Sequence, residues 1–208
     1  MQACTTCHGA GVTATVGRTA NEVYFPRIAG KPAGYLYNQL LNFRDGRRHY
    51  GLMVGLVEHL NDAALMDMAQ YFSALQLPYP EPQAPPPGTA AKALQRGQQL
   101  VTQGDTVLGI AACVSCHGAQ MLGVQPAIPG LLGLPRDYMA GQIGAWQTGM
   151  RRAQSPDCMA QIAKKLTPDD VNAVGTWLAA QPVPSAATAL AAISNLSAPL
   201  PLPCGGMK

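Results

Sequence analysis

Two short segments of the chain are built alike: Cys4-Thr5-Thr6-Cys7-His8-Gly9-Ala10 and Cys113-Val114-Ser115-Cys116-His117-Gly118-Ala119. In each, two thiols three residues apart share one face of a helical turn, and an imidazole adjoins them. This spacing lets both sulfurs form thioethers with the two vinyl groups of one porphyrin while the histidine reaches its iron, the Cys-x-x-Cys-His pattern of covalent haem attachment. Four Cys thiolates could alternatively make one tetrahedral zinc site. Zinc leaves unexplained the histidine after each pair and a separation of 109 residues, Cys4 to Cys113. A dithiol redox reading needs a single motif in a βαβ setting. The expectation is two haem c groups, one on Cys4 and Cys7 with His8 on its iron, the other on Cys113 and Cys116 with His117.

The likeness extends beyond the cysteines. At a constant offset of 103, the stretch from Pro26 to Tyr35 lies over that from Pro129 to Tyr138, Gln39 over Gln142, Phe43 over Trp146, Gly46 over Gly149 and Arg48 over Arg151. After a three-residue insertion the offset becomes 106, pairing Met53 with Met159, Leu60 with Leu166 and Tyr71 with Trp177. The chain is two copies of one unit. The repeat also nominates the group on the far side of each iron, a choice that sets redox behaviour. Of nine methionines only Met53 and Met159 coincide between the copies, and both are expected in loops ahead of the last helices. His49 and His59 compete for the first iron, but Arg152 and Lys165 stand at their places in the second copy, so solvent is the expected surrounding of both. Pro26 and Pro129 lack an N–H and offer a carbonyl. They are expected to accept the Nδ1–H of the iron-bound histidines, which fixes ring and tautomer.

The elements that must carry these groups read as helices and loops. Pro32 and Pro135 open equivalent helices that Gly46 and Gly149 close, with Leu36, Leu40 and Phe43 on one face of the first. The last helix of each copy starts at a capping residue, Asn61 or Thr167, the latter with Pro168 at the first helical position and Asp170 placed for a capping box. Leu65, Met68, Phe72 and Leu75 form one apolar stripe, and a further helix is expected over 90–104. Between the copies, six prolines in the twelve residues 77–88 forbid helix and predict an extended, semi-rigid strap.

Composition sets the outer limits. The 208 residues suit one large or two small domains. Fourteen Lys plus Arg against eleven Asp plus Glu, a formal +3 without a run of either sign, argue against nucleic-acid binding. No apolar run reaches the roughly 18 residues of a membrane span. An aromatic content of 6% is little for two cores, which suits interiors partly filled by porphyrin.

The paired motifs, a Pro-x-x-x-Gly stretch, a helix of Tyr-x-x-x-Gln-Leu-x-x-Phe type, a Met segment and a closing aromatic helix together resemble the two-domain di-haem class I cytochromes c of the cytochrome c-four type, from Cys4 to about Pro184. The resemblance implies an all-α fold of two tandem class I cytochrome c domains, each around one covalently bound haem, joined by a Pro-rich linker. The expected boundaries are 1–77 for the first domain, 78–88 for the linker, 89–184 for the second domain and 185–208 for a tail. The domains would be related by a pseudo-two-fold axis with haems near their interface, with His8 and Met53 as axial ligands of one iron and His117 and Met159 of the other. Class I domains open with a helix that crosses the last one. Residues 90–112 can supply it in the second copy, whereas Met1, Gln2 and Ala3 alone precede the first motif. The expectation is a missing N-terminal segment, with a signal peptide likewise not present in the chain. Cys158 and Cys204 are left over after haem attachment. In the oxidising compartment where haem c is matured they are expected to bond to each other and pin the tail beside Met159.

The resemblance also implies electron transfer in the bacterial periplasm. Filled axial positions leave no open coordination site, and no paired carboxylates, Ser/His/Asp set or phosphate loop suggests chemistry of the chain's own. The expected function is relay of single electrons between redox-partner proteins, a dehydrogenase, a terminal oxidase or another cytochrome, with any membrane association peripheral and through a partner. One alternative is a fixed cytochrome subunit of a periplasmic dehydrogenase, docked by its tail. Another is a haem peroxidase, which needs one displaceable sixth ligand. Arg44, Arg47, Arg48, Arg151 and Arg152 are expected at the surface, solvated or touching partners.

Overall fold

The structure, a computed structural model, describes residues 2–9, 25–183 and 199–207. Ala10, Pro184 and the first part of the expected tail, 185–198, lie outside the described residues. The motif cysteines and histidines sit on two short helices, α1 (Gln2–His8) and α6 (Val114–His117), with Cys113 as the residue that caps the start of the second. The first half continues with α2 (Ala33–Arg44), α3 (Gly51–Val57) and α4 (Asp62–Ala74); the second comprises α5 (Ala91–Thr102), α6, α7 (Arg136–Thr148), α8 (Cys158–Ala163) and α9 (Pro168–Ala179). The sequence repeat is thus a structural one, with α2, α3 and α4 recurring as α7, α8 and α9. A two-residue antiparallel pair, β1 (Gly123–Val124) and β2 (Ile128–Pro129), was not foreseen, since two residues carry no legible alternation.

Helix ends follow local chemistry. The Asn61 side chain accepts the N–H of Ala64 at 2.9 Å to start α4. At α9 the Thr167 hydroxyl accepts the Asp170 N–H and the Asp170 carboxylate accepts the Thr167 N–H, each at 3.1 Å, a complete capping box. Pro32 and Pro135 stand one residue outside their helices, with ψ of 135° and 147°; they deliver the chain in an extended conformation instead of forming the first turn. Gly149 closes α7 with a left-handed φ of +78°, a conformation that costs glycine little.

Each half has its own apolar interior. Leu100, Val101, Leu132, Leu134, Met139, Val171, Val174 and Leu178 are the heart of the second; Leu36, Ala69 and Phe72, with Phe43, Val57 and Leu65 as a separate group, form the first. Helices α2 and α4 pack together, as do α7 and α9, and α5 crosses α9. That crossing is tight because of Gly97: a Cβ there would run into the backbone carbonyl of Ala173. Arg96 ties the same two helices by charge, its Nε donating to Asp170 at 2.7 Å and its Nη1 to Asp105 at 2.8 Å. Burial alone would raise the Asp170 carboxyl, but the bonds from Arg96 and Thr167 outweigh it and hold the pKa below the ordinary carboxylate value.

The proline-rich segment is non-helical from residue 77 to residue 90, and it is fastened at its start and at its middle. Arg27 donates to the carbonyls of Leu77 and Pro78 at 2.7 and 2.8 Å and lies 4.0 Å from the Tyr79 ring centre. Further along, the Gln83 N–H donates to Ala179 O while its side chain accepts the Arg136 N–H. The strap is therefore part of both packed units, where composition alone predicts a spacer.

Candidate haem sites

Each motif helix turns its histidine inward. His8 Nδ1–H donates to the carbonyl of Pro26 at 2.9 Å, and His117 Nδ1–H donates to that of Pro129 at 2.7 Å. Both imidazoles are buried, and burial lowers the pKa of each. A neutral ring whose Nδ1 carries the proton offers an unprotonated Nε2, the form that binds iron. Cys4, Cys7, Cys113 and Cys116 are half-buried free thiols, and burial pushes the Cys113 thiol up to about 11.

These groups face one continuous cavity of about 1130 Å³ that both halves line, more than the roughly 300–1,000 Å³ of an ordinary ligand pocket. The four cysteines, His8, His117, Met53 and Met159 all border it. Each methionine occupies a short helix, α3 or α8, where a loop is expected. For α8 the cause is a cap the sequence reading passed over, the Asp157 side chain accepting the Ala160 N–H at 3.0 Å. His59 is in solvent, its side chain 90% exposed, and His49 is exposed at the cavity rim. Among the described residues no three His, Cys, Asp or Glu side chains gather into a metal site. The two cysteine pairs do not meet, so the zinc alternative fails, and the cavity's histidines, thiols and apolar walls fit two porphyrins.

The halves meet across a near-symmetric seam. Arg48 and Arg151, equivalent residues of the repeat, form an antiparallel bridge, with His49 N–H donating to Met150 O and Arg152 N–H to Arg47 O. A residue paired antiparallel with its own counterpart places a pseudo-two-fold axis between them. Around it Arg48 donates to Gln39 at 3.0 Å and across the seam to Gln142 at 2.8 Å and Tyr138 at 3.2 Å. Arg151 reciprocates, donating to Gln142 at 2.7 Å and across the seam to Gln39 at 2.9 Å and Tyr35 at 3.4 Å. Each guanidinium also lies over an aromatic ring of its own half, Arg48 over Phe43 and Arg151 over Trp146.

The expectation of surface arginines is therefore corrected for two of them. Arg151 is only 5% exposed and Arg48 is part-buried in the seam. No carboxylate pairs with Arg48, Arg151 or the nearby Lys31 among the described residues. The excess of positive charge is felt by Tyr35: burial would raise its phenol, but Arg151, Arg48 and Lys31 together hold it below the ordinary value. All three cations border the cavity. Uncompensated cations beside such a space suit ligands that bring their own acids, as a haem does with its two propionates. The sequence signal for this set existed, since Tyr35, Gln39, Phe43 and Arg48 recur at one offset. It identifies equivalent residues without saying that they meet.

Cys158, at the start of α8, is disulfide-bonded to Cys204. The bond sets residues 204–207 beside Met159 and against the first half, where Asn38 Nδ2 donates to Gly206 O at 2.7 Å. Cys204→Ser should lower the stability of the holoprotein by about 2 kcal/mol, less than the roughly 4 kcal/mol of loop entropy for a 46-residue separation, because a freed tail can peel away while α8 and α9 stay folded. Urea midpoints with and without thiol reductant, both taken after ascorbate has made the haem iron ferrous, check this: the thiol should shift the parent and leave the variant unmoved.

No family model matches the chain. It is 38% identical over 180 residues to the thiosulfate dehydrogenase electron acceptor of Thiomonas intermedia, covering 86% of this chain and 79% of that one. It is 30% identical over 178 residues to cytochrome c4 of Pseudomonas aeruginosa, covering 84% and 82%. Among solved structures it superposes on reduced recombinant cytochrome c4 from Pseudomonas stutzeri with a TM-score of 0.67 at 27% identity, over 86% of this chain and 93% of that one. It also superposes on thiosulfate dehydrogenase from Marichromatium purpuratum with a TM-score of 0.66 at 30% identity, over 75% of this chain but only 32% of that longer one.

Proposed function

Because the chain belongs to the cytochrome c4 family of haem c electron carriers, we propose that it holds two haem groups and accepts single electrons from a periplasmic dehydrogenase of the kind that oxidises thiosulfate. The observation that carries this reading is the duplicated site on one cavity. Cys4, Cys7, His8, Pro26 and Met53 recur as Cys113, Cys116, His117, Pro129 and Met159, and all ten border the same space. In this assignment His8 and Met53 would hold one iron and His117 and Met159 the other. Bound haem supplies a one-electron Fe(III)/Fe(II) couple, placed at the high-potential end by Met ligation. Everything else is the chain's work. Pro26 and Pro129 fix the histidine tautomers, the two apolar interiors exclude water, and the cations of the seam stand ready for propionates.

If Met53 and Met159 hold their irons beside His8 and His117, neither site would offer peroxide an open position, and this favours transport as the role. Residues 1–77 and 89–184 are proposed as the two domains and 78–88 as the link between them. The dehydrogenase partner is favoured by the electron acceptors the chain resembles. A periplasmic address is supported by the Cys158–Cys204 disulfide, which persists in oxidising compartments. No helix among the described residues is long and apolar enough to cross a membrane.

The deciding measurement is the mass of the native holoprotein with its absorption spectrum. Two haem masses above the 21.8 kDa polypeptide and two low-spin His/Met centres are expected; one haem, or a high-spin centre that turns over peroxide, contradicts the reading. Mixing the oxidised protein with a thiosulfate dehydrogenase and its substrate should then reduce both centres. No reduction under those conditions removes the partner assignment and leaves the carrier role intact.

A further inference from the structure

Lys31 breaks the symmetry of the seam. Its counterpart in the repeat is Leu134, a buried apolar residue. Although Lys31 belongs to the first half, just ahead of α2, its Nζ donates to the carbonyl of Gly130 in the second half at 2.8 Å. Gly130 follows Pro129, whose carbonyl holds the Nδ1–H of His117. An ammonium from one half is thus seated on the backbone that orients the other half's histidine.

No carboxylate of the described residues pairs with Lys31, and its residual exposure opens on the cavity that it borders. Burial pushes its pKa down to about 8, which still leaves it charged at pH 7. The asymmetry is one of placement: Lys31 Nζ sits on the carbonyl next to the one that holds His117, whereas the repeat puts the uncharged Leu134 at the equivalent place for His8. A fixed positive charge favours the reduced, more negative form of a nearby redox centre, and a dry surround screens it little.

We propose that Lys31 is a positioning and tuning residue for electron transfer, contributed by the first domain to raise the electron affinity of the second domain's haem site and so bias an electron from the first site toward the second. The inference rests on the di-haem reading given above. In its absence the repeat would make the two sites more nearly alike, since Leu134 supplies no matching charge to the first.

The test is a spectroelectrochemical titration of the holoprotein, with the two one-electron waves assigned by the displacements that Met53→His and Met159→His produce. Lys31→Gln keeps a donor for Gly130 O and removes the charge. It is expected to lower the electron affinity of the second-domain site about tenfold, some 59 mV for one electron, and to leave the first wave in place. Lys31→Arg should restore the wild-type spacing, and Lys31→Met serves as a second neutral variant should the glutamine protein fold poorly. The proposal is overturned if neither wave moves, if both move equally, or if the shift is confined to the first-domain wave. A wild-type protein with fewer than two one-electron waves refutes the di-haem reading itself, whatever Lys31 does.

Discussion

A chain in which Cys113 and Cys116 are both replaced by alanine is expected to carry one covalent haem and to lose cooperative unfolding of its second half. The reason is volume. The cavity measures about 1130 Å³ and both halves line it. If half of it were left empty, the cost at ~24 cal/mol per Å³ would be about 14 kcal/mol, close to the whole ~5–15 kcal/mol stability of an ordinary protein. Water entry and partial collapse reduce that figure, but they do so by giving up native packing around Leu100, Leu132, Met139 and Leu178. The surviving haem would also leave part of the positive seam uncompensated. Calorimetry of the variant should show a transition for the first half and no second one, with a holoprotein mass lower by one haem. A sharp, native-like second transition in the single-haem protein would mean that the polypeptide alone holds that fold.

Replacing Arg151 by methionine should cost the holoprotein about 3 kcal/mol and loosen the two halves from each other. Three terms decide the sign. Arg151 makes two short charge-assisted bonds, to Gln142 at 2.7 Å and Gln39 at 2.9 Å, worth about 2 kcal/mol each. Its stacking on Trp146 at 3.8 Å adds about 2 kcal/mol in a dry site. Against these, removing it relieves repulsion from Arg48, which bonds to the same two glutamine oxygens; at roughly 5 Å and an effective dielectric of about 20 that relief is about 3 kcal/mol. The bonds and the stacking win. Arg151→Lys should recover little, because an ammonium cannot span Gln39 and Gln142 as a planar fork does. Denaturant midpoints measure the stability, and small-angle scattering the separation. An unchanged radius of gyration with wild-type stability would show the seam to be passive.

Much of the molecule was legible from short-range spacing. The Cys-x-x-Cys-His segments, the Asn61 cap and the Thr167 capping box are patterns spanning four or five residues, and each is formed where the spacing puts it. The six prolines of 77–88 ruled out helix correctly. Errors arose where several weak preferences compete. Met53 and Met159 were expected in loops ahead of the last helices, yet a turn or two of helix forms at each, and at Met159 the Asp157 cap is enough to start it. The arginines were read by their charge, which favours solvent in the absence of a partner. The structure instead gives Arg48 and Arg151 shared glutamines, aromatic faces and a bridge across the axis.

The sequence by itself determined the Cys-x-x-Cys-His motifs, the internal repeat, the Asn61 and Thr167 caps and the candidate ligands, because each is a relation between residues within a few turns or between equivalent positions. Only the tertiary structure decided that Arg48 pairs with Arg151, that Lys31 reaches the backbone holding His117, and that both sites open on one cavity. An offset of 103 says that two residues are alike; whether they touch depends on how the halves dock, and docking is set by surface shape and burial that no local spacing records.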